Sequence, residues 1–122
     1  MSQLINEFVH IKSRADFFPT LDRAIALTQA LDARGAPDPN VKSILKQLDA
    51  VKHWTANGRE PSRAERKSLT VGTLFVREFE PAQTDEVEQW IKLVREVTGY
   101  FSDWLDDATF ATIDTDDMDD FD

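Results

Sequence analysis

Between residues 41 and 54 the apolar side chains are Val41, Ile44, Leu45, Leu48, Val51 and Trp54, at i, i+3, i+4, i+7, i+10 and i+13. A strand alternates with period two, so this spacing commits the segment to an amphipathic helix with one apolar stripe. The ends of the helix are marked too. Asp38 stands where an N-cap is needed, Pro39 follows at the first helical position, and Asn57-Gly58 supplies a stop.

Similar stripes occur on either side. Leu4, Ile5, Phe8 and Val9 predict a short helix over roughly residues 2–14, and Asp16-Phe17-Phe18-Pro19 then reads as a break or bend. Leu21, Ile25, Leu27, Thr28 and Leu31 carry a second helix up to Gly35, where a left-handed cap is expected. Towards the C-terminus, Thr84 or Asp85 suits an N-cap, and Glu86 and Glu88 complement the positive end of the helix dipole. Val87, Trp90, Ile91, Val94, Val97, Phe101 and Leu105 follow at spacings of three and four, with Tyr100 and Trp104 widening the stripe and Gly99 a candidate bend or end.

The stretch Leu69-Thr-Val-Gly-Thr-Leu-Phe-Val76 is ambiguous, because its β-branched and aromatic residues would suit a strand with a glycine bulge. Its flanks decide the matter. Ser62-Arg-Ala-Glu65 has the form of a capping box, which starts a helix upstream, and Pro81 stops one downstream. The segment does not alternate and is apolar around much of its circumference, so it is predicted to be a buried central helix. Gly72 costs about 1 kcal/mol against alanine in such a place, which suggests a close helix approach over its missing side chain.

The result is an all-α fold: a single small helical bundle of four or five helices over residues 1–105, with an acidic tail over 106–122. A chain of 122 residues suits one core. No cysteine is present, which excludes disulfides, a thiol nucleophile and thiolate metal sites. No apolar run approaches the roughly 20 residues that span a bilayer, and the N-terminus lacks the pattern of a signal peptide. A cytoplasmic location is expected.

Charge is concentrated at one end. Nine aspartates and no base lie between Asp103 and Asp122, whereas the other 102 residues balance 14 acidic against 14 basic side chains, so the tail accounts for the net charge of −9. Such a tail repels nucleic acid and anionic membranes and suits a basic protein partner.

No chemistry-bearing motif emerges. His10 and His53 are the only histidines and neither belongs to a nucleophile frame. Trp54, Trp90 and Trp104 lie on apolar helix faces and read as core. Asp114, Asp116 and Asp117 hint at a calcium loop, but Asp119 stands where its glycine belongs and the chain ends before a twelfth-position glutamate. There is no Gly-rich phosphate loop. The expectation is a binding protein without catalytic residues, metal or cofactor; the sequence sets no oligomeric state.

Two stretches carry a family resemblance: Lys46-Gln-Leu-Asp-Ala-Val-Lys52, and Leu69-Thr-Val-Gly-Thr-Leu-Phe-Val-Arg-Glu-Phe-Glu80 followed by an acidic turn and helix. Over about residues 20–98 the chain resembles the immunity proteins of interbacterial type VI secretion that neutralise an NAD(P)-degrading toxin of Pseudomonas. It differs from that pattern in a longer N-terminus, a longer loop around Asn57 to Glu60 and the acidic extension.

The resemblance implies a small all-helical inhibitor that binds the catalytic domain of a cognate toxin and occludes its NAD-binding cleft. A cleft that accepts an anionic dinucleotide is often basic, so Glu78, Glu80, Asp85 and Glu86, clustered at a helix junction, are the expected toxin-binding residues, with Arg77 as an anchor. Two other classes remain open. A secretion chaperone or adaptor would bind away from the toxin's active site, and an acidic nucleic-acid mimic would depend on residues 106–122.

Overall fold

A computed structural model describes residues 10–34, 38–79 and 82–109 of the chain. Among the described residues there are five α-helices and no strand: α1 (Arg14–Arg34), α2 (Pro39–Trp54), α3 (Arg63–Arg66), α4 (Val71–Leu74) and α5 (Asp85–Asp103). A short 3₁₀ turn, Ala56–Gly58, follows α2, and α4 runs directly into a π-helical turn, Phe75–Phe79. Both α2 and α5 pack against α1.

The core follows from the stripes. Ile44, Leu48 and Val51 of α2 are fully buried, as are Phe17 and Ala24 of α1 and Val94, Val97 and Phe101 of α5. Each large apolar side chain removed from water contributes roughly 1.5–3 kcal/mol, which is what holds three amphipathic helices together. Trp90 and Tyr100 are buried in the same core, and Trp54 and Trp104 pack against it while partly exposed.

The start of α1 departs from expectation. Residues 10–13 are not helical, the helix begins at Arg14, and the predicted break at Asp16–Pro19 does not occur; residues 1–9 lie outside the described range. Pro19 sits inside α1 because it and Ala15, whose carbonyl loses a partner, both face solvent, where water replaces the missing bond. Instead of a helix, the preceding segment is a strap. Ile11 plugs the core, and the backbone N–H groups of His10 and Ile11 each donate to Glu96 Oε2 at 2.6 Å. Glu96 itself is 2% exposed. The predicted cap at Gly35 lies outside the described residues.

The Asp38 cap is present, its side chain accepting from Asn40 N at 2.9 Å. Asn57 ends this region with φ of 57° and Gly58 with φ of 79°, the left-handed region that asparagine and Cβ-less glycine adopt most readily. The capping box is also formed: Ser62 Oγ accepts from Glu65 N, and Glu65 Oε1 accepts from Ser62 N.

The single buried helix predicted beyond that box is replaced by two short pieces. Ser68 Oγ donates to the Glu65 carbonyl at 2.7 Å, competing with the helix ladder at the end of α3. Thr70 N then donates to Gln47 Oε1 at 2.8 Å, across to α2, instead of continuing that ladder. Gln47 Nε2 also donates to Thr70 Oγ1 at 3.0 Å, so one amide side chain clips the start of α4 in place. Only Val71 and Phe75 of the following two turns are buried. Gly72 is exposed and a Cβ there would meet nothing within 4 Å, so it marks no close approach.

Helix α5 begins at the Thr84 cap, whose side chain accepts from Val87 N at 3.1 Å. Gly99 neither bends nor ends it; the helix stops at Trp104, in the left-handed conformation with φ of 45°. No basic residue occupies its last turn, so two arginines from elsewhere meet the unpaired carbonyls. Arg66 Nη1 donates to Ser102 O and Asp103 O, and Arg14 Nη2 donates to Trp104 O and Leu105 O. The Arg14 guanidinium also lies 4.2 Å from the centre of the Trp104 ring. Beyond α5, Asp107 Oδ1 accepts from Arg14 N at 2.6 Å, bringing the root of the C-terminal extension to the N-terminus of α1. Residues 110–122, with the aspartates considered for calcium, lie outside the described range, as does Pro81.

Candidate protein-binding surface

Of the predicted contact residues, Arg77 and Glu78 lie on the π-helical turn and Asp85 and Glu86 in the first turn of α5. Phe75 and Phe79 of the π-helical turn pack edge-on against Trp90 of α5, with ring centroids 5.1 and 5.2 Å away. Trp90 is in turn fixed to α1, because its Nε1 donates to Thr28 Oγ1 at 2.9 Å while that hydroxyl donates to the Ala24 carbonyl. A π turn carries more residues per turn than an α-helix, and here, with Phe75 and Phe79 turned inward, Val76, Arg77 and Glu78 face outward. Val76 is 62% exposed, the most exposed large apolar side chain among the described residues.

Arg77 and Glu78 lie side by side, Nη2 to Oε2 3.6 Å. Asp85 and Glu86 share the first turn of α5, where the exposed N–H groups favour negative charge. The Phe79–Trp90 contact places the π turn beside α5, five residues on from Asp85. Glu86 is not a free carboxylate: Arg34 Nη2, from the end of α1, reaches it at 2.6 Å. Glu80 lies outside the described residues. The surface is therefore apolar at Val76 and mixed in charge around it, with Arg34 adding to Arg77 a second cation beside the carboxylates.

Val76 and Arg34 are the residues that sequence reasoning passes over. Val76 reads as a buried position because its segment is apolar on nearly all sides. Arg34 carries a weak signal, a basic residue in the last turn of a helix, but nothing local ties it to Glu86 52 residues away.

Hydrogen bonds from the Arg59 guanidinium, at 3.0 and 2.8 Å, hold the Glu65 carboxyl below its ordinary range, helped by the Ser62 N–H. A hydrogen bond from the Thr109 side chain, together with its backbone N–H, lowers Asp106 in the same way. Burial pushes the Tyr100 phenol upward, a trend that the hydrogen bond from Arg14 opposes. His10 and His53 are both exposed, and among the described residues no three histidine or carboxylate side chains converge as a metal site. None of the described helices is long and apolar enough to cross a membrane.

No curated protein and no solved structure matches this chain. The family model Tsi6 does, over residues 18–111, a span that takes in α1 from its second turn, all of α2 to α5 and the π turn. With the greater part of its length inside that match, the chain belongs to the Tsi6 family, the immunity proteins of type VI secretion.

Proposed function

We propose that this protein binds the catalytic domain of a cognate type VI secretion toxin in the cytoplasm and inhibits it by covering an NAD(P)-binding cleft, with no chemistry of its own. The observation that carries this reading is the outward turn Val76-Arg77-Glu78, held on a rigid aromatic foot beside the carboxylates of the α5 N-terminus. An exposed apolar residue ringed by charge is the composition of an interface centre with a polar rim. Glu78, Glu80, Asp85 and Glu86 occupy, in this reading, the basic surface that otherwise receives the dinucleotide phosphates, and Arg77 anchors the contact.

The test is capture of the partner with the tagged full chain, followed by NAD consumption by the captured partner with and without added protein. Stoichiometric suppression is expected. Charge reversal at Glu78→Lys with Asp85→Lys is expected to raise the Kd at least ~10-fold, as desolvated charge pairs at interfaces do, with the circular dichroism spectrum unchanged. Unchanged affinity removes the patch assignment. Capture of a fully active toxin removes inhibition and leaves a chaperone role.

A further inference from the structure

A half-open groove of about 330 Å³ lies between α1 and the end of α2, walled by Phe18, Leu21, Ala56 and Gly58. Its lining is mainly apolar, and Phe18, one of the few exposed large hydrophobic residues of the described chain, forms one side at 36% exposure. Asp22 and Lys52 meet at 3.1 Å on the rim, so the charges of the groove itself cancel.

Its flank towards the end of α5 is acidic. Glu60, two residues after Gly58 and 74% exposed, meets Arg14 Nη1 at 3.5 Å, so that pair adds little net charge. On the opposite flank the Phe18 ring lies 6.5 Å from that of Trp104, which joins the groove to the end of α5, where Asp103 and Asp106 are exposed. Arg66 is turned onto the carbonyls of residues 102 and 103, and Arg14 onto those of 104 and 105 and onto Glu60, so among the described residues neither guanidinium forms an ion pair with Asp103 or Asp106. The hydrogen bonds from Thr109 keep Asp106 ionised to lower pH. From Asp114 to Asp122 the sequence adds six more aspartates and no base, on a chain whose root is fixed beside Arg14.

We propose that this groove seats an apolar side chain of the cognate toxin, presented on a segment rich in lysine or arginine. The inference rests on the reading that the chain binds a toxin, and adds a contact on elements other than the Val76–Glu78 turn. Charge complementarity selects the occupant. The chain's own C-terminal extension would carry aspartates into the flank formed by Asp103 and Asp106, and a second copy would bring the same carboxylates against themselves. A basic segment gains on both counts, and the aspartates that the sequence adds beyond Asp107 favour its approach by long-range attraction.

The test uses the full chain and the toxin domain, with calorimetry for affinity and stopped flow for association. Ala56→Arg fills the mouth of the groove and turns its charge against a basic segment; it is expected to weaken binding at least 10-fold, and Phe18→Ala to weaken it in the same direction. Asp103→Asn with Asp106→Asn is expected to slow association several-fold at low salt, with the difference gone at 0.5 M. If the unaltered protein binds and inhibits the toxin while Ala56→Arg does so equally well, the groove is not a contact and the immunity reading stands. If the unaltered protein does not bind the toxin, both fall together. A spin label at Asp122→Cys, the only thiol in such a chain, separates the other occupants. Broadening of the Ala56 and Gly58 amide signals without toxin overturns the proposal: broadening that persists on dilution assigns the groove to the extension, and broadening that fades on dilution assigns it to a second copy.

Discussion

Glu96 lies on the buried side of α5 among valines, and its carboxylate is part of the architecture, with Oε2 accepting from two backbone N–H groups of the N-terminal strap. Removing the acceptor leaves the Ile11 amide buried without a partner. Glu96→Ala is expected to cost about 2–4 kcal/mol in urea unfolding, and Glu96→Gln less, because an amide oxygen still accepts. Nothing in the sequence announces this residue. A glutamate interrupting an apolar stripe looks like a solvent-facing position, and its partners are 85 residues away. Tyr100 offers a second test, since it is the only tyrosine in the chain. Burial raises its folded pKa above 10.0, so the neutral phenol stabilises the fold fully below pH 10 and that contribution is lost as pH rises through the folded value. The phenolate absorbance of the folded protein is expected to appear at higher pH than that of the urea-unfolded chain; a lower midpoint would contradict the burial.

At the scale of elements, α2 and α5 are legible because period and caps agree: Asp38-Pro39 and Thr84 open helices whose apolar stripes recur at spacings of three and four. The stretch from Ser62 to Phe79 is legible only at its start. The capping box forms, but the helix it opens is four residues long, because Gln47 from α2 takes the Thr70 N–H. That bond joins positions 23 residues apart, and no local pattern contains it. For the same reason Gly72 reads in the sequence as a close-packing site and is none. Its surroundings are open, so Gly72→Ala is expected to stabilise the protein by about 0.5–1 kcal/mol by lowering the entropy of the unfolded chain, with the rise in Tm as readout. Destabilisation would mean that the backbone there needs more freedom than an exposed helical turn does. Of the proposed contact residues, Arg77 and Glu78 are found by their motif, whereas the exposure of Val76 depends on which side of the turn Trp90 occupies.

For the described bundle as a whole, the start of α1 and the segment that follows α5 are parts of one assembly. Arg14 holds the carbonyls that end α5 and the ring of Trp104, while Asp107 holds the first amide of α1, so neither terminus of the bundle is closed without the other. Phe17 stacks on Tyr100 at 5.5 Å and meets Trp104 edge-on at 5.0 Å in the same region. A fragment of residues 18–111 keeps the whole family match but lacks Ile11, Arg14 and Phe17. Each lost core side chain costs roughly 2–5 kcal/mol, a large share of an ordinary folding free energy. Such a fragment is expected to melt broadly or at far lower temperature than the full chain, as circular dichroism would show; equal melting would make the strap dispensable.

The strap that Glu96 holds thus divides kinship from cooperativity. The portion of this protein that the family model matches begins at residue 18, and eight residues on the far side of that border, 10–17, supply a plug, a clamp and a ring to the matched part. Anyone exchanging toxin specificities by grafting one immunity protein's homologous segment into another would be transplanting an arch without its keystone, and would read the resulting collapse as lost recognition.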